Sequence, residues 1–296
     1  MSQRLQLLPR RLSLIQISSS ATSSSSAPKM VIPDEATAAS VSRKRPSVCH
    51  EEASSANGKA TSSTSHDYVG KGLNRGNPLW IGDDWSFSKE HILIPNHYHD
   101  SLDYVLLPKG LLNDRIEKLA IDMRKAYGDE ELHILCVLKG SRGFFSKLLE
   151  IFDRIHKYSQ AAHCESSQYH RAPYMEHYVR LKSYHNTEST GKLHVQSDDL
   201  TTLSGKHVLI VEDIIDTGNT LTKFCDHLKD FAPKSIKIAS LLEKRTPKSC
   251  GFLGDWVGFS VPDVFIVGYC LDYNEHFRDL DHVCVMNKKG IEKYKI

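Results

Sequence analysis

Two adjacent carboxylates, Glu212 and Asp213, follow an unbroken apolar run and precede a short polar turn. The run, Val208 to Val211, has the composition of a parallel strand that is buried on both faces. Open α/β sheets bind their ligands at the carboxyl ends of such strands, so the spacing predicts a binding site here. Acids in that position suit a sugar phosphate with a bound cation.

The turn after these acids has the features of a phosphate-binding loop. Leu221 to Phe231 places apolar residues on one helical stripe, which predicts a helix that begins directly after the turn. Unpaired backbone N–H groups at a helix N-terminus favour an anion. Gly218 lets the backbone approach a ligand closely, and Thr217 and Thr220 add hydroxyl donors.

Strand-like and helix-like segments alternate through the chain, which favours a parallel sheet with right-handed crossovers. Helices are predicted at Leu112 to Tyr127 and Phe144 to Ile155, and further strands at Leu132 to Leu138, Met175 to Leu181, Ile236 to Leu242 and Val264 to Tyr269. Lys182 to Leu200 is polar and interrupts the pattern. Such a long connection is typical of an active-site lid, with a simple solvent loop as the alternative.

The stretch from Val208 to Thr220 closely resembles the phosphoribosyl pyrophosphate (PRPP) signature of type I phosphoribosyltransferases. Other segments narrow the resemblance to hypoxanthine-guanine phosphoribosyltransferases, and to the animal enzymes most closely. These segments are Leu138 to Gly140, Leu181 to Tyr184, Lys244 to Pro247 and Leu271 to Asp279. The resemblance runs from about Ile92 to the C-terminus. It implies a parallel twisted sheet of about five strands flanked by helices, with a small hood subdomain and a flexible active-site loop.

The resemblance implies a magnesium-dependent transfer of the 5-phosphoribosyl group from PRPP to hypoxanthine or guanine, giving IMP or GMP and pyrophosphate in purine salvage. It assigns catalysis to Asp216 as general base, with Glu212 and Asp213 beside it. PRPP and its phosphates would be bound by Lys139, Gly140, Ile214, Ile215, Asp216, Thr217, Gly218, Asn219, Thr220 and Arg278. The purine would be bound by Lys244, Val264, Phe265, Ile266 and Asp272, and Mg²⁺ by Glu212, Asp213 and Asp272.

Two further features belong to the same resemblance. Ser183 and Tyr184 match the characteristic pair of the mobile loop, and a cis peptide bond is expected between Leu138 and Lys139. The chain departs from common family residues at Asn219, Ser141 and Lys248, which puts PRPP affinity in question more than reaction type. The family pattern also implies a homodimer or homotetramer.

Two other functions share part of the pattern. Ribose-phosphate pyrophosphokinase and orotate phosphoribosyltransferase have the acid pair and the Asp-Thr-Gly turn, but the segments around Lys244 and from Phe265 to Asp272 argue against them. A regulator that binds PRPP or nucleotide and controls nucleic acid is a non-enzymatic alternative. A net charge of +2 gives no basic stripe for nucleic acid, which argues against it.

The N-terminal region has a different composition from the rest of the 296-residue chain. Residues 1 to 66 contain 17 serines and no Phe, Trp or Tyr, so they lack the apolar area that ordering requires. We therefore predict a disordered extension over residues 1–80 and a phosphoribosyltransferase domain over 81–296. Cys136, Cys270 and Cys284 lie in apolar runs and are predicted to be buried free thiols.

Compartment is predicted from the same composition. Seven cysteines without metal-ligand spacing suit a reducing compartment, and no segment approaches the roughly 18 apolar residues that span a bilayer. The cytoplasm is therefore the first expectation. Arg4, Arg10, Arg11 and Lys29 precede the first acid, Asp34, which is also typical of a mitochondrial transit peptide, and import into mitochondria is the alternative.

Overall fold

The structure is a computed structural model that describes residues 69–72, 75–128, 130–162, 174–183, 193–197 and 199–296. The strands are β1 (Leu79–Trp80), β2 (Leu102–Leu107), β3 (Leu132–Leu138), β4 (Tyr174–Ser183), β5 (Leu193–Ser197), β6 (His207–Ile215), β7 (Ser235–Lys244), β8 (Trp256–Val261), β9 (Ile266–Val267) and β10 (Val283–Met286). The helices are α1 (Asn96–His99), α2 (Lys109–Tyr127), α3 (Arg142–Ala162), α4 (Asn219–Lys229) and α5 (Lys288–Lys293).

The central sheet has the strand order β1-β8-β7-β6-β3-β4-β5. Every neighbouring pair is parallel except β4 and β5, which are antiparallel. Five long parallel strands, from β8 to β4, thus form the middle of the sheet. This arrangement confirms the predicted type I fold, and it brings the carboxyl ends of β3, β6 and β7 to one edge.

Side chains of the central strands alternate between two apolar layers. Leu209 and Val211 of β6 pack in the layer that α2 and α3 cover. Val208 and Ile210 point the other way and pack with Leu221 and Phe224 of α4. Because successive strand residues face opposite sides, a continuous apolar run is what a sheet covered by helices on both faces requires.

A second, smaller sheet forms the hood. Its order is β2-β10-β9, and both pairings are antiparallel. The sheet joins a segment that precedes α2 to two segments near the C-terminus, as the resemblance implied. A separate apolar cluster that includes Tyr98, Leu102 and Phe277 fills it.

Two predicted elements differ from the observed ones, and one observed strand was not predicted. The predicted strand Val264 to Tyr269 is only the short β9, and it belongs to the hood instead of the parallel sheet. The fifth long parallel strand is β8, which was missed although all six of its residues are buried. Gly258 and Ser260 interrupt its apolar pattern. The predicted loop from Lys182 to Leu200 contains β5, which pairs with β4.

The predicted domain boundary at residue 81 is also too late. Leu79 and Trp80 pair with β8, and Lys71 forms a bridge with Leu253. Arg75 donates two hydrogen bonds to the Glu243 carboxylate of β7, at 2.6 and 2.7 Å. The domain therefore includes residues from at least Val69. The predicted disorder before that lies outside the described residues.

The three cysteines that were predicted to be buried lie within the described residues. Cys136, Cys270 and Cys284 are buried free thiols, as predicted, while Cys250 is exposed. Within the described segments, no helix has the length and apolar character to cross a bilayer.

Candidate active site

A cavity of about 450 Å³ opens at the carboxyl ends of β3, β6 and β7. Most of the residues that the sequence singled out line it, although they come from segments up to 139 positions apart. The lining includes Lys139, Gly140, Glu212, Asp213, Ile214, Ile215, Asp216, Thr217, Gly218, Thr220, Lys244, Phe265, Ile266, Asp272 and Arg278. The fold therefore brings together the acid pair, the phosphate loop and the candidate base-binding residues.

Glu212 and Asp213 lie inside β6, which continues to Ile215 instead of ending at Val211. Their carboxyl groups hydrogen-bond to each other, and the Ile214 amide donates to Asp213 Oδ1 at 2.7 Å. Burial raises the pKa of Glu212 well above its ordinary value, and the neighbouring Asp213 charge raises it further. Burial also raises the pKa of Asp213. Two carboxyl groups held together in this way favour a proton or a cation between them.

Gly140 lies directly against the carboxylate of Asp213. A Cβ atom at residue 140 would collide with the Asp213 carboxylate, so the turn after β3 reaches the acids only with glycine. The peptide bond between Leu138 and Lys139 is cis, as the resemblance implied. The sequence assigned Gly140 to phosphate binding but gave no sign of its contact with Asp213, which is distant in the chain.

The phosphate loop ends at the N-terminus of α4. Gly218 is the N-cap and has a φ of 81°, in the left-handed region that favours glycine, and no side chain caps the helix. The loop is held from behind, because the Cys250 amide donates to the Thr217 carbonyl at 2.8 Å and Phe252 packs against Gly218. Sequence patterns did not identify Cys250 and Phe252, since their role is visible only in three dimensions.

The candidate base-binding side of the cavity combines a cation with an exposed aromatic ring. Lys244 is largely buried, and its Nζ lies 3.6 Å from Asp216 Oδ2 and 3.9 Å from Asp263 Oδ1. The Phe265 side chain is 43% exposed and meets Tyr273 edge to face. An exposed ring beside a buried ammonium can bind a flat heterocycle that carries a hydrogen-bond acceptor.

Arg278 and Lys139 supply two further cations to the cavity lining. The Arg278 guanidinium contacts Asp272 at 2.7 Å and donates to the Cys270 carbonyl at 2.8 Å. Glu275 contacts both cations, and its hydrogen bond with Lys139 is the largest cause that lowers the pKa of this carboxyl to about 2. The sequence did not single out Glu275.

Comparison with known proteins agrees with this geometry. The phosphoribosyl transferase domain family matches residues 106–274. The hypoxanthine-guanine-xanthine phosphoribosyltransferase of Plasmodium falciparum is 54% identical over 226 residues, which cover 76% of this chain and 95% of that protein. The human hypoxanthine-guanine phosphoribosyltransferase is 47% identical over 214 residues, 72% of this chain and 94% of that protein.

A crystal structure of the Schistosoma mansoni hypoxanthine-guanine phosphoribosyltransferase in complex with IMP is also similar. It matches with a TM-score of 0.58 at 35% identity, over 74% of this chain and 100% of that chain. This chain belongs to the hypoxanthine-guanine phosphoribosyltransferase family. The predicted family is confirmed, but the resemblance was drawn most closely to animal enzymes, whereas the Plasmodium protein shares more identity than the human one.

The three departures from common family residues lie outside the cavity lining. Ser141 is buried, and its hydroxyl donates to the Val137 carbonyl at 2.6 Å. Asn219 borders a separate cavity behind α4, and Lys248 is exposed on the loop after β7. None of these three residues therefore lines the cavity in which PRPP is expected to bind.

Some candidate residues are not brought into the cavity of this phosphoribosyltransferase. Val264 is half-buried beside it but does not line it, and neither does Asn219. Ser183 is the last residue of β4, and Tyr184 lies outside the described residues. Among the described residues, no group of three or more His, Cys, Asp and Glu side chains forms a complete metal site. Asp272 is paired with Arg278 and not grouped with Glu212 and Asp213.

Proposed function

We propose that this chain catalyses purine salvage by transferring the 5-phosphoribosyl group of PRPP to hypoxanthine or guanine, which gives IMP or GMP and pyrophosphate. One observation carries the proposal. A single cavity holds a phosphate loop at a helix N-terminus, a buried acid pair and a lysine beside an exposed aromatic ring. This combination matches a sugar phosphate at one end and a purine at the other.

The purine is selected by Lys244 and Phe265. A lysine ammonium has only donors, so it pairs with the 6-oxo group of hypoxanthine or guanine and not with the 6-amino group of adenine. Phe265 stacks on the base. Backbone groups of Val264 and Ile266, together with Asp272, read the 2-position of the ring.

Asp216 acts on the imidazole ring of the purine. Its carboxylate lies 3.6 Å from the lysine that binds the 6-oxo group, so a purine held by Lys244 presents the neighbouring imidazole nitrogen to it. Asp216 accepts a proton from this nitrogen while the other imidazole nitrogen forms the bond to the sugar and pyrophosphate leaves. Because the anomeric carbon develops positive charge, the carboxylate also stabilises the transition state electrostatically.

The 5′-phosphate is bound by the loop from Ile214 to Thr220. Uncapped amides at the start of α4 donate to its oxygens, and the hydroxyls of Thr217 and Thr220 add to them. Lys139, Gly140 and Arg278 bind the pyrophosphate end. Arginine suits this role because its planar guanidinium donates two parallel hydrogen bonds.

The residues of the cavity fit Mg²⁺. Glu212 and Asp213 bring two oxygen-rich groups together, and burial raises the pKa of each, so a hard dication is a matching partner. Magnesium usually binds through one or two carboxylates and completes its shell with water and substrate phosphate, which agrees with the lack of a complete protein cage. Asp272 would hold a second ion. A cation held by these residues would supply positive charge that stabilises the departing pyrophosphate.

The test is product formation by the purified chain. Guanine or hypoxanthine, PRPP and Mg²⁺ should give GMP or IMP, and withholding the metal should abolish turnover. Adenine and xanthine belong in the same assay, since the Plasmodium relative is named for xanthine as well. Absence of product with both guanine and hypoxanthine would remove the proposal.

Oligomeric state and compartment complete the proposal. The enzyme forms a homodimer or homotetramer, which light scattering tests directly. It acts in the cytoplasm, and the alternative is import into mitochondria through its basic, Ser-rich N-terminal residues. A fluorescent fusion at the C-terminus distinguishes the two compartments.

A further inference from the structure

One carboxylate joins the two cations at the pyrophosphate end of the cavity. Lys139 Nζ lies 2.8 Å from Glu275 Oε2. Arg278 contacts the same carboxylate with Nε and Nη2, each at 3.4 Å. Glu275 therefore links the turn after β3 to the loop that follows β9.

Glu275 is held in place by its own backbone. Its φ is 68°, in the left-handed region, and its amide donates to Asp272 Oδ2 at 2.8 Å. Asp272 in turn pairs with Arg278. The position of the Glu275 side chain is thus set by the same loop that presents the arginine, and its 63% exposure leaves room for it to swing away.

The charges at this end balance without substrate. Lys139 and Arg278 carry two positive charges, and Glu275 and Asp272 carry two negative ones. Pyrophosphate is strongly anionic and needs the same two cations. It must therefore compete with a carboxylate that is already there.

We propose that Glu275 is the internal counterion of the pyrophosphate subsite, and that pyrophosphate displaces its carboxylate from Arg278. The inference rests on the proposed function, because it assigns this end of the cavity to the pyrophosphate of PRPP. The contacts of Glu275 with Arg278, at 3.4 Å, are longer than its contact with Lys139, so pyrophosphate breaks the contacts with Arg278 first. By occupying the subsite, Glu275 weakens the binding of PRPP and speeds the release of pyrophosphate.

Replacement of the charge tests this role. Glu275→Gln keeps the shape of the side chain and removes its charge, so affinities for PRPP and for magnesium pyrophosphate should rise by about two- to fivefold, the range typical of exposed ion pairs. Titration calorimetry with magnesium pyrophosphate measures this without turnover. The KM for hypoxanthine should not change, because Glu275 contacts Lys139 and Arg278 and not Lys244 at the proposed base site.

Glu150→Gln is the matched control. Glu150 is 59% exposed and pairs with Lys147 at 2.8 Å on α3, so it loses a similar ion pair away from the subsite. It should leave both affinities unchanged. Glu275→Ala provides a second variant that also removes the charge.

Opposite results would overturn the inference. Unchanged or weaker pyrophosphate binding in Glu275→Gln and Glu275→Ala would mean that the carboxylate supports Lys139 and Arg278 instead of competing for them. This failure is distinct from failure of the proposed function. A wild-type protein that makes no IMP or GMP would remove the function, whereas an active wild type with unaltered Glu275 variants would remove only the counterion role.

Discussion

Asp216 and Asp263 both lie near the ammonium of Lys244, at 3.6 and 3.9 Å, and this pair gives a controlled test of the proton-transfer role. Asp216 follows the acid pair at the phosphate loop, whereas Asp263 does not line the cavity. We expect Asp216→Asn to keep PRPP binding and to lose about 10²-fold or more in kcat, as is usual when a general base is removed. Asp263→Asn should keep nearly the wild-type rate. Equal rates for the two variants would contradict the assignment.

The proposed base selectivity rests on Lys244, whose side chain is largely buried and lies near two carboxylates. Adenine would place its 6-amino group against the ammonium, so two donors would face each other with no acceptor between them, and this mismatch costs enough for roughly 10⁴-fold discrimination. We expect kcat/KM for guanine and hypoxanthine to fall strongly in Lys244→Ala. Lys248→Ala, at an exposed lysine of the same loop, is the control. Comparable use of adenine by the wild type would contradict the prediction.

The raised pKa of Glu212 predicts that this residue lowers the stability of the metal-free protein, although its carboxylate is proposed to be needed for activity. Its pKa is raised above the ordinary value of 4.5, so the folded state binds this proton more tightly than the unfolded state, and stability falls as the pH rises above 4.5. Glutamine at position 212 cannot ionise, so the variant does not lose stability as the pH rises. We expect Glu212→Gln to raise the Tm of the metal-free protein near neutral pH, to lose this advantage in acid, and to have lower activity. A Tm difference that is constant across pH would show that burial of the charge is not its cause.

Among the elements, strands with regular apolar patterns were predictable and irregular ones were not. β3 was predicted at its observed bounds because six of its seven residues are apolar, with His133 as the exception, and such a run leaves few alternatives. β8 was missed because Gly258 packs against the Leu241 backbone, a close contact that requires glycine and reduces the apolar signal. The strand predicted around β9 was too long, because the backbone has positive φ at Gly268, Tyr269 and Cys270 and the strand therefore ends at Val267.

In the candidate site, too, the features with a local sequence pattern were predictable and the others were not. The phosphate loop is contiguous in sequence, so its type and position were predictable from spacing and from the family resemblance. Glu275 depends on a contact with Lys139 across 136 positions, and the support of Gly218 by Phe252 crosses 34. Contacts of this kind carry no local pattern, because they arise only when separate strands end at the same edge of the sheet.

The turn after β3 and strand β6 make contact through Gly140. A methyl group there would meet the Asp213 carboxylate, so the Asp213 side chain or the turn would have to move. We expect Gly140→Ala to lose most PRPP-dependent turnover while the protein remains folded. Gly110→Ala in α2 is the control, because a Cβ there meets nothing within 4 Å. Wild-type kinetics in Gly140→Ala would show that the close approach is not required.

At the scale of the whole molecule, the N-terminal part of the domain reaches the back of the phosphate loop. The Leu253 amide donates to the Gly70 carbonyl at 2.7 Å, and the adjacent Phe252 packs against both Gly70 and Gly218. The Trp80 ring stacks on the Arg245 guanidinium at 3.8 Å, one residue after Lys244, the proposed base-binding residue. The segment thus contacts the loop that follows β7, and Phe252 of that loop packs against Gly218 of the phosphate loop.

Two deletions separate the contribution of this segment from that of the residues before it. Removing residues 1–68 should leave Tm and kcat nearly unchanged, because their composition lacks core-forming residues. Removing residues 1–80 also deletes Arg75, β1 and Gly70, which leaves the Glu243 carboxylate without its arginine. Loss of such a partly buried pair should lower Tm by about 5 °C or more, and KM for PRPP should rise because the phosphate loop loses support. Calorimetry and initial rates measure both effects.

Identical Tm and KM values for the two deletions would mean that residues 69–80 do not stabilise the domain. A large fall in Tm on removing residues 1–68 alone would mean that the Ser-rich region stabilises it.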